Sequence, residues 1–119
     1  ITGSKYSLPS PGEIPELMRG FIIQLSDMKE KMHPVEFSAI AHNKFVFIHP
    51  FIDGNGRVAR LLMNILLLQD GYNIALISPA VRPEYIQSLE KARKDDRAFI
   101  EFIARMVKET QKDYLRIFR

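Results

Sequence analysis

A run that cannot be helical sits between two runs that can, and that interruption limits what the chain can fold into. Before it, Phe37, Ile40, Ala41, Phe45 and Ile48 give an apolar stripe at helical spacing, opened by His33-Pro34. After it, Arg57 to Gln69 reads as a helix built on Leu61-Leu62-Met63-Asn64-Ile65-Leu66-Leu67-Leu68. Between them stands His49-Pro50-Phe51-Ile52-Asp53-Gly54-Asn55-Gly56, whose Asp-Gly-Asn-Gly stretch cannot continue a helix. The loop therefore delivers its main-chain N–H groups to the positive end of the following helix, where phosphate is the natural ligand.

Each residue type in the loop has a separate physical use. Gly54 and Gly56 permit positive φ and leave room for the main chain to curl around phosphate oxygens. Asp53 is a hard oxygen ligand suited to Mg²⁺, which keeps several waters and needs only one or two protein carboxylates. Arg57 and Arg60 stand three apart, so both guanidiniums can point at one polyphosphate. His49 titrates near neutrality and fits a general base taking a proton from an attacking hydroxyl. The layout points to group transfer from a nucleotide.

These residues resemble the signature of the Fic family, His-x-Phe-x-(Asp/Glu)-Gly-Asn-Gly-Arg-x-x-Arg, and all eight fixed positions are filled. His33 to Ile48 is similar to the family helix that leads into the motif, and Gly71-Tyr72 and Arg82-Pro83-Glu84-Tyr85 are similar to its later landmarks. The resemblance implies an all-α Fic-type helical bundle that transfers AMP from ATP to a Ser, Thr or Tyr hydroxyl of a target protein. It implies His49 as the base, Asp53 as the Mg²⁺ ligand bridging the α- and β-phosphates, and Gly54, Asn55 and Gly56 as the anion hole. Arg57 would bind the phosphates, Arg60 would reach the terminal one, and Phe51 would pack beneath the loop as an anchor.

Variations within the family frame the alternatives. Doc toxins carry Lys at the second loop glycine and phosphorylate instead; Gly56 argues against that reading. Other relatives transfer UMP or phosphocholine on a similar loop. AMP removal by the same loop uses an inhibitory Glu, and no (Ser/Thr)-x-x-x-Glu-(Gly/Asn) segment occurs in this chain. The expectation is that such an inhibitor precedes Ile1 or comes from a partner or antitoxin, leaving Arg60 free. A module that holds nucleotide without transferring it is the other alternative. In many AMP-transferring relatives two adjacent tyrosines and an Asn line the adenine pocket, at positions that correspond to Tyr85, Ile86 and Arg93. Only Tyr85 matches, so contact from Ile86 and from the Arg93 guanidinium would replace the rest.

Composition adds exclusions. A chain of 119 residues with 46% apolar content suits one folded domain. The net charge of +3 is mild and no basic patch interleaved with aromatics points to nucleic acid. Without cysteine there is neither a disulfide nor a thiolate metal site, which is compatible with the cytoplasm. No signal peptide is visible and Leu61 to Leu68 is too short to span a bilayer.

Along the chain, residues 1–13 are expected to be irregular, with Ile1 to Tyr6 as the second half of a β-hairpin flap that would pair with an extended target segment. Residues 14–119 form the helical core of a single domain, and the start at Ile1 implies a piece of a longer protein. Pro15 opens a helix through Leu25, Gly71 stops the post-loop helix, and residues 73–78 connect to a helix from Pro83 to about Lys94 and another from about Asp96 to Ile117. His33 is read as a helix-start residue, and His42, two turns before His49, as a structural hydrogen-bonding group.

Overall fold

The computed structural model describes residues 7–118, and the expected flap half, Ile1 to Tyr6, lies outside them. Five helices follow one another: α1 (Ile14–Lys31), α2 (Pro34–Ile48), α3 (Asn55–Gln69), α4 (Arg82–Lys91) and α5 (Arg97–Ile117). Short 3-10 turns, Pro11–Glu13 and Pro79–Val81, lead into α1 and α4. No strand occurs among the described residues, so the expected all-α architecture is what forms.

The middle of the fold is α2. Phe37, Ala39, Ala41, Phe45, Val46 and Ile48 are buried on several of its faces because α1, α3 and α5 all pack against it. α3 contributes Ala59, Met63 and Leu67, and α5 contributes Phe99, Phe102 and Ile103, all without exposed surface. α1 lays Phe21 edge-on to Phe45 at 6.2 Å between ring centroids. This cluster fixes the ends of α2 and α3, and the chemistry-bearing loop hangs between those ends.

The termini follow from local sequence. His33 caps α2 by accepting the Val35 N–H at Nδ1 (3.2 Å), as a helix-start residue should. Gly71, at φ 82°, closes α3: Tyr72 N–H reaches the Leu67 carbonyl (3.0 Å) and Gly71 N–H the Leu68 carbonyl (3.1 Å). Three boundaries differ from expectation. α1 continues past Leu25 to Lys31, carrying Met28 into the core. α3 begins at Asn55, because Gly54 turns the chain at φ 81° and its carbonyl accepts from Val58 N–H (3.1 Å), which places Asn55 and Gly56 in the first helical turn. α4 stops at Lys91, and a short turn fills the interval to α5.

Candidate active site

His49 ends α2 in a conformation that side chains rarely adopt. Its φ of 55° and ψ of 58° are left-handed, and it is the one non-glycine with positive φ among the described residues. Such a position costs on the order of 1 kcal/mol or more and persists only where neighbours hold it. Here the neighbour is Asn55. Its Oδ1 accepts the Phe51 N–H (3.0 Å), and its Nδ2 donates to the Phe51 carbonyl (2.8 Å) and lies 3.1 Å from His49 Nδ1.

Those two contacts with Phe51 fix which way the Asn55 amide points, and so decide a proton on His49. An amide N–H₂ can only donate, so His49 Nδ1 is an acceptor and the neutral ring carries its hydrogen on Nε2. Partial burial lowers the pKa of His49 below the ordinary imidazole value, which keeps the ring neutral at pH 7.

The Asn55 side chain is thus spent on the loop. The sequence places it in an anion hole; the structure buries it to 3% exposure and leaves only its main-chain N–H for an anion. Helix geometry gives the N–H groups of Asn55, Gly56 and Arg57 no partner inside α3, so three donors converge at its positive end. Phe51 also differs from expectation. Its ring is 52% exposed at 6.3 Å from Phe45, so the loop is anchored by the Phe51 main chain and the Asn55 amide.

Both glycines make room for guanidiniums. A Cβ on Gly54 would come within 3.0 Å of Arg57 Nη2, and one on Gly56 within 3.1 Å of Arg60 Nη1. Arg60 Nη1 donates to the Tyr85 hydroxyl (3.3 Å). Asp53 is exposed, with Oδ1 accepting the Gly54 N–H (2.8 Å).

A pocket of about 480 Å³ gathers His49, Asp53, Gly54, Asn55, Gly56, Arg57, Arg60 and Tyr85 along with Ile52, Arg82 and Ile86. Every fixed position of the motif except Phe51 therefore lines one cavity. Tyr85 lines it only by an edge, since 1% of its surface is exposed and its ring packs among His42, Phe99 and Phe102. No ring face remains for a base to stack on. Arg93, expected beside the base, instead lays its guanidinium over the Phe47 ring at 4.2 Å. Arg82 was not foreseen; standing three residues before Tyr85 on α4, its helical spacing carried the signal.

No group of three or more acidic, His or Cys side chains able to hold a metal occurs among the described residues. Mg²⁺ at Asp53 would accordingly be held by one protein carboxylate, with phosphate and water oxygens completing its shell, a donor set that suits this ion. Nor is any described helix long and apolar enough to cross a membrane.

The model of the Fic/DOC family matches residues 1–67. The chain is 45% identical over 109 residues to the protein adenylyltransferase Fic of Drosophila grimshawi and 44% identical to that of Drosophila melanogaster. Each match covers 90% of the chain but only 23% and 22% of the relative, so the chain spans less than a quarter of these proteins. Among solved structures it is similar to residues 134–508 of Fic-1 from C. elegans, with TM-score 0.83 and 34% identity, covering 92% of the chain and 34% of that one. A Fic-domain-containing signalling protein from Bacteroides thetaiotaomicron superposes with TM-score 0.80 at 29% identity, covering 91% of the chain and 49% of its own.

Proposed function

The chain belongs to the Fic/DOC family, and from that premise we propose that it transfers AMP from Mg·ATP to a Ser, Thr or Tyr hydroxyl of a target protein. The observation that carries the reading is the convergence of a neutral imidazole, a lone carboxylate, a helix N-terminus and two arginines on one pocket. The Drosophila relatives are named as protein adenylyltransferases, which supports the same reaction class.

In this reading the target hydroxyl attacks the α-phosphorus, pyrophosphate leaves, and His49 takes the hydroxyl proton. The N–H groups of Asn55, Gly56 and Arg57 hold phosphate oxygens. Arg57 and Arg60 neutralise the charge that grows on the leaving pyrophosphate, and Gly54 and Gly56 leave them space to do so. Asp53 would hold Mg²⁺, which would offset the charge of the phosphates. Ile86, half-buried at the cavity wall, gives the base an apolar contact.

One observation favours the competing reading, a module that binds nucleotide without transfer. The lone pair His49 needs as a base sits at Nδ1, covered by Asn55. For transfer, that contact must open when the hydroxyl arrives. Incubation with α- or γ-labelled Mg·ATP, followed by intact mass and label counting on the chain and on candidate targets, separates the readings. Label from the α-position and a gain of one AMP are expected. Label from the γ-position would make it a kinase, and tight nucleotide binding with neither label would make it a binding module.

A further inference from the structure

Beneath Arg60 runs a chain of buried polar groups that the reaction itself does not use. Arg60 Nη1 lies 3.3 Å from the Tyr85 hydroxyl, which lies 2.8 Å from His42 Nε2; His42 Nδ1 lies 2.9 Å from Asn43 Oδ1, and Asn43 Nδ2 lies 2.9 Å from Asp96 Oδ1. These links join α3, α4, α2 and the start of α5. His42 and Asn43 have 0% and 1% of their surface exposed.

Its two ends set its direction. A carboxylate can only accept, so Asn43 turns its N–H₂ to Asp96 and its oxygen to His42. His42 must then donate from Nδ1 and accept at Nε2, so the Tyr85 O–H donates to His42. The Tyr85 oxygen is left with its lone pairs toward Arg60, which can only donate. Every donor meets an acceptor, and no link can be reversed alone without setting like against like. Asp96 confirms the economy of the arrangement: although it stands at the N-cap of α5, its side chain makes no cap hydrogen bond and crosses to α2 instead.

We propose that His42, Asn43, Tyr85 and Asp96 are positioning residues for Arg60: their one-way chain holds the Tyr85 hydroxyl as an acceptor and so fixes the guanidinium that meets the terminal phosphate. This rests on the reading of Arg60 given above. Burial keeps the His42 ring neutral, as the chain requires, by pushing its pKa down to about 4. The Arg60 guanidinium also lies 5.5 Å from the Tyr85 ring centroid, a second contact that Phe at this position would keep.

The test compares Mg·ATP with Mg·ADP binding by calorimetry. Tyr85→Phe should weaken ATP binding roughly fivefold while leaving ADP nearly unchanged, as expected for one misdirected hydrogen bond to a charged group. It should add nothing in an Arg60→Ala background. His42→Gln, which keeps an acceptor for the Tyr85 hydroxyl, should bind ATP like the parent, whereas His42→Leu should behave like Tyr85→Phe. If Arg60→Ala weakens ATP binding and Tyr85→Phe does not, the positioning role is overturned while the Arg60 reading survives. If Arg60→Ala leaves the ATP preference intact, both fall. Should a variant fail to fold, nitrogen NMR on the parent chain decides: the hydrogen of His42 on Nδ1 supports the chain and on Nε2 overturns it.

Discussion

Two histidines on one helix, seven residues apart, each hydrogen-bond to an asparagine, and almost everything else about them differs. His42 lies inside the bundle with Asn43, stacked at 4.7 Å on Phe99, and every polar atom of the pair is committed. His49 stands at the pocket rim with Asn55, half-buried, in a strained left-handed turn. The lesson is that the partner type does not set the role; burial does. A sealed imidazole is held in one tautomer as a fixed element of structure. An imidazole at a cavity edge, with one contact that can open, retains chemistry.

The comparison breaks most visibly at the rim. His49→Ala should lower transfer by roughly 10²- to 10⁴-fold while nucleotide affinity changes little, because a base acts on the hydroxyl and not on the phosphates. Rate and calorimetric affinity measured on one preparation check this; equal losses in both would make His49 structural like His42.

Acid sharpens the buried side. His42 has a pKa of about 4 in the folded chain against 6.5 as an ordinary imidazole. Between those values the unfolded chain binds the extra proton, so stability is fully present above pH 6.5 and is lost as pH falls toward 4, by about 3 kcal/mol from this group. Urea unfolding at pH 7 and pH 4.5 should show a smaller loss for His42→Gln than for the parent, and parallel losses would remove His42 as the cause.

Gly54→Ala tests the loop that separates the two regions. A side chain at φ 81° costs roughly 1–2 kcal/mol, and the new methyl stands 3.0 Å from Arg57 Nη2. Reduced melting temperature together with weaker nucleotide binding is expected; weaker binding alone would mean that the backbone relaxes and only the arginine moves. The smallest effect belongs to a third histidine at the opposite end of α2. His33→Ala removes the cap on Val35 N–H and should cost about 1 kcal/mol or less of stability, with nucleotide binding untouched.

Much of this was legible in advance for a local reason. Pro34, Gly54 and Gly71 act on the backbone within a few residues, so helix starts and stops could be placed from sequence, and the motif residues converge because they occupy one turn and the helix start beside it. The expectations that changed depend on which side chains come to touch, across the bundle for Tyr85 and within the loop for Phe51. Tyr85 reads as a ring for a base until α2 and α5 close around it; Phe51 reads as an anchor until Asn55 is seen to take that task through the main chain.

The sequence by itself determined an all-helical chain broken once by a glycine-rich loop, because helical periodicity, glycine punctuation and a dense motif are encoded over short distances. Only the tertiary structure decided that Asp96, 53 residues from Asn43 along the chain, sets the direction of the hydrogen bonds that begin with donation from Arg60 to Tyr85. Hydrogen-bond direction belongs to a closed set of partners, and that set exists only once α2, α3, α4 and the start of α5 have met.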